Sequence, residues 1–259
     1  MNVYGNYLFP IHVNSMMPIN ILSYNIQAAI GTQSYRKYVT QINRQLFHSK
    51  QKTDNLRAIA EFASDYDVAC IQEVDLGGRR SNFECQVEQL QHMSNFVHMS
   101  TQENRVIRKV SRHGNAILSK APQTDVQDLK LPGKRTGRGA ILAKIDALMP
   151  FYVINVHLSL GATDQMTQVE FLIENSPEEQ PLIILGDFNC GAASLPIKRL
   201  AHALDLKLLT TPFHKTYPSW SPRHDFDHIL VSNHFSAKSI EVRDIRMSDH
   251  RPLEATITL

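Results

Sequence analysis

Short apolar runs recur along this chain, and each of several ends on a polar side chain able to bind a ligand. Ile19-Asn20-Ile21-Leu22-Ser23-Tyr24-Asn25 reads as a first strand ending in a carboxamide. From Thr53 the spacing turns helical, with Leu56, Ile59, Ala60, Ala63 and Tyr66 on the 3.6-residue period and Thr53 or Asp54 available as N-cap. Val68-Ala69-Cys70-Ile71 follows as a strand and runs into Gln72-Glu73-Val74-Asp75. A second helix is expected from residue 83 to 94 with Val87 and Leu90 inward. Strands are expected at 116–118, 140–143 and 151–156, the last leading directly into His157. A helix over 163–174 would bury Met166, Val169, Leu172 and Ile173. The next run, Pro181-Leu182-Ile183-Ile184-Leu185, lacks alternation, which suits a strand covered on both faces. It ends in Gly186-Asp187-Phe188-Asn189. Pro196 opens another helix reaching Leu204, and strands return at 227–231, 239–242 and 253–259.

Strands and helices mixed in this way, without a linker, a repeat or a low-complexity tract, predict a single α/β domain over residues 19–259. Residues 1–18 have no period and read as an irregular extension. The polar stretch 31–52 reads as a surface loop or a partly helical insertion.

The 259 residues can bury a sizeable core, and 42% hydrophobic with 20% charged residues is ordinary for a globular protein. A net charge of +2 exerts no global pull on polyanions, so contacts to phosphate must come from local clusters. Two such clusters exist: Arg105, Arg108, Lys109 and Arg112, then Lys130, Lys134, Arg135 and Arg138. Each is by default a solvated face, but beside a site it would attract a polyanion and make binding salt-dependent. No interleaved aromatic run marks a base-stacking platform, although Trp220 could wall a pocket. Cys70, Cys85 and Cys190 are too few and too scattered for a disulfide framework or a zinc site. The N-terminus lacks the pattern of a secretory signal, and no run approaches the roughly 20 apolar residues of a membrane span. The expectation is a reduced, cytoplasmic setting with no integral membrane segment.

Candidate chemistry sits where the apolar runs stop. Asn25, Glu73, His157, Asp187 and Asn189 all end such runs, and Asp227-His228 and Asp249-His250 join them near the C-terminus. Strand ends are rigid platforms that converge at one edge of a sheet. Glu73, Asp187, Asp227 and Asp249 offer carboxylate oxygens, and Asn25 and Asn189 offer carbonyls; such a set suits a hard divalent ion, Mg²⁺ or Mn²⁺. The histidines are better placed to move protons or touch phosphate oxygens. Taken singly, each has a plainer explanation: Asp187 and Asn189 as turn residues, Asn115 as the shaper of a turn, His157 as a satisfied half-buried side chain.

Ser23-Tyr24-Asn25, Gln72-Glu73-Val74, Gly114-Asn115-Ala116, the strand ending in His157, Gly186-Asp187-Phe188-Asn189, Asp227-His228-Ile229 and Ser248-Asp249-His250 stand in the order of the endonuclease/exonuclease/phosphatase superfamily. The chain resembles this DNase I-like group over about residues 19–259. The resemblance implies a four-layered sandwich, with two mixed β-sheets face to face and helices outside, and a divalent metal at the sheet edge. By position it makes Glu73 the principal metal ligand, with Asn25 and Asp249 assisting. It gives His250 contact with the scissile phosphate and, paired with Asp187 or a neighbouring carboxylate, the generation or orientation of the attacking water. Asn189 would hold a phosphate oxygen, Asp227 orient a histidine or bind metal, and His157 lie near the leaving oxygen. Arg138 and Asn115 would bind phosphate. The implied activity is metal-dependent hydrolysis of a phosphodiester, in nucleic acid first, or alternatively of a phospholipid or inositol phosphate. A non-catalytic binding module is a further alternative, and no protein partner is implied.

Overall fold

The computed structural model describes residues 17–31, 34, 47–134 and 136–259. The expected N-terminal extension, apart from residues 17 and 18, lies outside these, as do most of 31–52 and Arg135 of the second basic cluster. Among the described residues, twelve strands form two six-stranded mixed sheets. The first carries β1 (Ile19–Asn25), β2 (Val68–Asp75), β3 (His98–Ile107), β4 (Ser111–Ser119), β11 (Ser236–Val242) and β12 (Leu253–Thr258), in the order β11-β12-β1-β2-β4-β3. The second carries β5 (Gln123–Leu129), β6 (Gly139–Ile145), β7 (Phe151–His157), β8 (Leu182–Asp187), β9 (Leu206–Leu208) and β10 (Asp227–Ser232), in the order β5-β6-β7-β8-β10-β9.

Strand alternation sorts the apolar residues into three layers. Ile21, Val68, Cys70 and Ile117 of the first sheet meet Ile141, Val153, Ile183, Leu185 and Ile229 of the second in a core between the sheets. The opposite face of the first sheet, with Leu22, Tyr24 and Ile71, packs on α1 (Lys50–Ala63) and α2 (Gln86–His92) through Leu56, Ile59 and Leu90. That of the second, with Ile154, Ile184 and Leu230, packs on α3 (Ala162–Glu174) and α4 (Leu195–Ala203) through Val169, Leu172 and Leu200. This is the four-layered α/β sandwich the resemblance implies. Truncating a side chain in the shared core, such as Leu185 to alanine, would cost about 2–5 kcal/mol.

Each sheet has one parallel pair near its centre, β1 with β2 and β7 with β8. The strands of a parallel pair finish at the same edge. Asn25 therefore lies beside Gln72, and His157 beside Asp187. Asp227, on antiparallel β10, pairs directly with Asp187.

Some boundaries depart from expectation. The first helix starts at Lys50 rather than near Thr53, because Ser49 is the N-cap and its hydroxyl accepts from the Lys52 amide at 3.4 Å. Neither Thr53 nor Asp54 caps it. The second helix is shorter than 83–94: Asn82 and Phe83 have φ of 60° and 61°, a left-handed backbone incompatible with a helical first turn. Strands β3, β5 and β9 carry no apolar run; β3 and β5 are polar, largely exposed strands at sheet margins, where pairing rather than burial defines them.

Candidate active site

The faces that build the inter-sheet core also build the site. Reading along each strand on that face, apolar residues give way to polar ones at the sheet edge: Ile21, Ser23, Asn25 on β1; Val153, Asn155, His157 on β7; Ile183, Leu185, Asp187 on β8; and, running the other way, Val231, Ile229, Asp227 on β10. The amide band is a connected network. Gln72 Nε2 donates to Asn155 Oδ1 at 2.7 Å, and Asn155 Nδ2 donates to the carbonyls of Ile71 and Ala116 at 3.0 and 2.8 Å. These bonds bridge the two sheets directly beneath the ionisable residues.

Glu73 reaches the site by a device of its own. It lies within β2 rather than after it, with φ 57°, where the pairing of β2 with β4 shifts register between Ile71 and Val74. Ile71 and Val74 both pack in the helix-facing core although three positions separate them. The bulge inverts the alternation, so that Glu73 leaves the helix-facing side that strict alternation would assign it. A second backbone requirement falls at Gly186, whose φ is 145° and where a Cβ would lie 2.0 Å from the Val156 carbonyl oxygen. No other residue fits so close to β7.

At the sheet edge Asn25 Nδ2 donates to Asp187 Oδ2 at 3.1 Å, and Asp187 Oδ1 accepts from the Asn189 amide at 2.9 Å. His157 Nε2 is 3.5 Å from Asp187 Oδ2 and 3.7 Å from Glu73 Oε1. His250 Nδ1 is bonded to Asp227 Oδ2 at 2.8 Å, with its Nε2 3.7 Å from Asp187. Thr216, which has no motif to signal it, donates its hydroxyl to the same Asp227 oxygen. Asn189 Nδ2 donates to the Leu158 carbonyl at 2.9 Å. Asp249 is buried in the adjoining loop, where its carboxylate accepts from the Ser248 hydroxyl at 3.2 Å.

Electrostatics divides these groups. Burial disfavours a charge on Glu73, yet the positive groups beside it, Arg138 and His250 among them, outweigh it and lower its pKa to about 2. Burial likewise opposes the cation at His250, but Asp227, Asp187 and Asp249 hold its pKa up at about 10. His157 goes the other way: burial, helped by the charge of Arg138, keeps it neutral. Burial and the neighbouring Asp227 raise the pKa of Asp187 despite the pull of His250. Burial, with Glu73 nearby, raises Asp249 to about 6.

Arg138 is half-buried beside this centre, donating from Nη1 to the Gly137 carbonyl while its Nε has no partner among the described residues. Asn115 lies farther back in the amide band, where its Nδ2 donates to the Gly139 carbonyl at 3.1 Å and to Gln102 at 3.3 Å. The structure thus brings Asn25, Glu73, His157, Asp187, Asp227 and His250 into one connected cluster, with Asp249 coupled by charge and Asn115 set back. Gln72 and Asn155 are not among the positions expected from the sequence; Asn155 stands two residues before His157 on the same face, which is a readable signal, whereas Gln72 has none of that kind. His228 faces away, bonded to Thr210 and the Cys190 carbonyl.

The chain belongs to the endonuclease/exonuclease/phosphatase family, whose model matches residues 22–250. Members of that family are generally hydrolases acting on phosphoesters. No curated protein matches the chain in sequence. Among solved structures it is similar to an endonuclease/exonuclease/phosphatase from Bacteroides vulgatus, with TM-score 0.72 and 16% identity over 94% of this chain and 99% of that one. It is similar also to the catalytic domain of human nocturnin with bound sulfate anion (TM-score 0.67, 19% identity, 93% of this chain and 94% of that one). A third is a mannosyl-6-phosphatase from Bacteroides thetaiotaomicron (TM-score 0.67, 14% identity, 93% and 100%). Among the described residues no helix is long and apolar enough to cross a membrane.

Proposed function

We propose that this protein is a divalent-metal-dependent phosphodiesterase acting on nucleic acid. The observation that carries the reading is the surplus of unsatisfied polar groups at the sheet edge. Asp227 Oδ1 and His157 Nε2 are buried without a hydrogen-bond partner among the described residues, and Asp187 and Asp249 carry raised carboxyl pKa values. Buried polar atoms are ordinarily paired, and crowded carboxylates call for a cation. The oxygen-rich donor set fits Mg²⁺ or Mn²⁺.

Two groupings offer ligands. Asp187, Asp227 and His250 have ligand atoms within 4.8 Å of one another. His250 already serves as the cation there, however, with Nδ1 committed to Asp227. Glu73, ionised and about a quarter exposed, is the better anchor, with Asn25 and Asp249 completing the set. When bound, the ion would neutralise charge on phosphate oxygens as it develops.

The chain's own residues account for the rest. His250, held by Asp227 and Thr216, presents a fixed positive charge and an Nε2–H to a phosphate oxygen. Asn189 Nδ2 keeps a second N–H beyond the one given to Leu158. Asp187, with its raised pKa, can accept a proton from the attacking water. His157, neutral, has its Nε2 turned toward the same point and can assist the leaving oxygen. Arg138 and the exposed Arg105, Arg108, Lys109, Lys130 and Lys134 supply positive potential for a polyanionic chain. Hydrolysis of DNA, RNA, an inositol phosphate and a phospholipid should be compared with Mg²⁺, with Mn²⁺ and with chelator. Metal-dependent cleavage of a nucleic acid that Glu73→Gln abolishes is the expected result. Cleavage confined to the inositol phosphate or the lipid would overturn the substrate class, and cleavage unaffected by chelator would overturn the metal.

A further inference from the structure

Beside His250 stands a cluster of aromatic rings that no continuous sequence run announces. The Tyr217 ring lies 4.9 Å from that of His250, centroid to centroid. Phe226 stacks on Tyr217 at 5.7 Å with 25° between planes and His224 on Phe226 at 4.9 Å with 11°, while Tyr217 and His224 are 6.3 Å apart at 37°, so the three rings form a triangular cluster. The residues around Asp187 are buried, but Tyr217 and Phe226 are only half-buried and His224 is exposed. No interleaved run marks these rings, because they come from two segments that an isolated β-bridge, Tyr217 with His224, holds together. The same segments are tied to the catalytic loop. Ser219 N donates to the Asp249 carbonyl at 2.7 Å, and Arg251 N to that of Thr216 at 2.9 Å. The rings are thus fixed relative to His250 before anything binds, which limits the ordering cost of using them.

A core need not expose such rings, and a cation-binding cage would set its rings at steep angles as walls around a point, whereas the planes here lie within 37° of one another. Near-parallel planes are extended by another flat ring. We infer that Tyr217, Phe226 and His224 form a stacking subsite for a nucleobase flanking the scissile phosphate. The inference rests on the phosphodiesterase reading above and narrows it, because it makes a base, not only a phosphate backbone, part of what is recognised. Lys215 and Arg223, both exposed and adjoining the rings in sequence, provide charge for neighbouring phosphates.

The test compares a thymidine dinucleotide with the same diester lacking the flanking base, using wild type, His224→Ala, Phe226→Leu and Phe226→Tyr. Wild type should prefer the base-bearing diester by about tenfold or more in kcat/KM, mainly through KM. That ratio should fall toward one in Phe226→Leu, fall partway in His224→Ala, and be retained in Phe226→Tyr. Equal use of the two diesters by wild type, or a Phe226→Leu ratio equal to that of wild type, would overturn the subsite. Metal-free binding of a 2-aminopurine dinucleotide separates the two readings. Quenching by wild type and not by Phe226→Leu, in a protein inert to all diesters, would uphold the subsite and reject the phosphodiesterase; hydrolysis with no such quenching difference would do the reverse.

Discussion

Two clusters of buried charge lie on either side of the β2 bulge, and they are built on opposite terms. At Asp75 everything is matched. One carboxylate oxygen pairs with Arg80, and the other accepts from the amides of Gly77 and Gly78 and the hydroxyl of Ser81. Arg80 also meets His113 Nδ1 at 3.2 Å. These contacts, led by the charge of Arg80, lower the Asp75 pKa although burial works to raise it. Around Asp187 the carboxylates outnumber the cations, and buried atoms are left without partners. The first cluster holds the loop after β2 in place; the second leaves buried polar atoms unmatched, as the proposed metal site requires. Buried charge by its mere presence therefore says little about role. Whether it is satisfied says more.

Substitutions should pull the two apart. Asp187→Asn is expected to lower kcat by about 10²–10⁴-fold, measured under saturating metal and substrate. Its thermal midpoint should stay level or rise, because the change removes a carboxylate that burial and Asp227 destabilise. Asp75→Ala should do the converse. With Arg80 left buried and unpaired, the fold should lose about 3–5 kcal/mol in denaturant unfolding. An Asp187 variant that unfolds as readily as the Asp75 variant would erase the distinction.

Next in size is the response to metal. Without metal, Asp249, with a folded pKa of about 6, stays protonated in the native state to higher pH than in the unfolded chain. The native state binds more protons between the unfolded value of about 4 and that value, so stability falls as pH rises through the interval. Asp187 contributes in the same sense. Saturating Mg²⁺ should therefore raise the midpoint more at pH 8 than at pH 5, approaching about 2.7 kcal/mol at a hundredfold excess over Kd. Asp75 has the opposite sign. Its lowered folded pKa contributes stability that is present above the unfolded value and lost as pH falls through the folded one. Acid unfolding should thus begin at a higher pH in wild type than in a variant whose Asp75 pair has been replaced. The smallest effect is expected of the double substitution Asp75→Asn with Arg80→Met: it keeps an acceptor for Gly77, Gly78 and Ser81 and removes both charges, leaving a deficit of about 1 kcal/mol.

The sequence was most legible where one physical rule acted locally. Central strands such as β7 and β8 are apolar on both faces because both are covered, and their ends stood out where polar residues began. Edge strands such as β5 left no such trace, since hydrogen bonding to β6 and not burial makes them strands. Glu73 was legible as a candidate, but its backbone was not. Nothing in Gln72-Glu73-Val74 states that the strand bulges there, because the bulge is a matter of register against β4. The aromatic cluster was missed for the same reason: Tyr217 and His224 become neighbours only through a bridge between segments.

By itself, then, the sequence determined which residue types stand at the ends of which apolar runs, and through period-two alternation it determined that Asn25, His157, Asp187 and Asp227 share the faces that form the inter-sheet core. Burial of apolar surface acts on each strand separately, so this much is written locally. Tertiary structure decided the rest: which strands are neighbours, where β2 slips its register, which carboxylates go unpaired and which rings stack beside His250. Those outcomes depend on distances between residues far apart in the chain, and charge, hydrogen bonding and stacking act only once folding has set those distances.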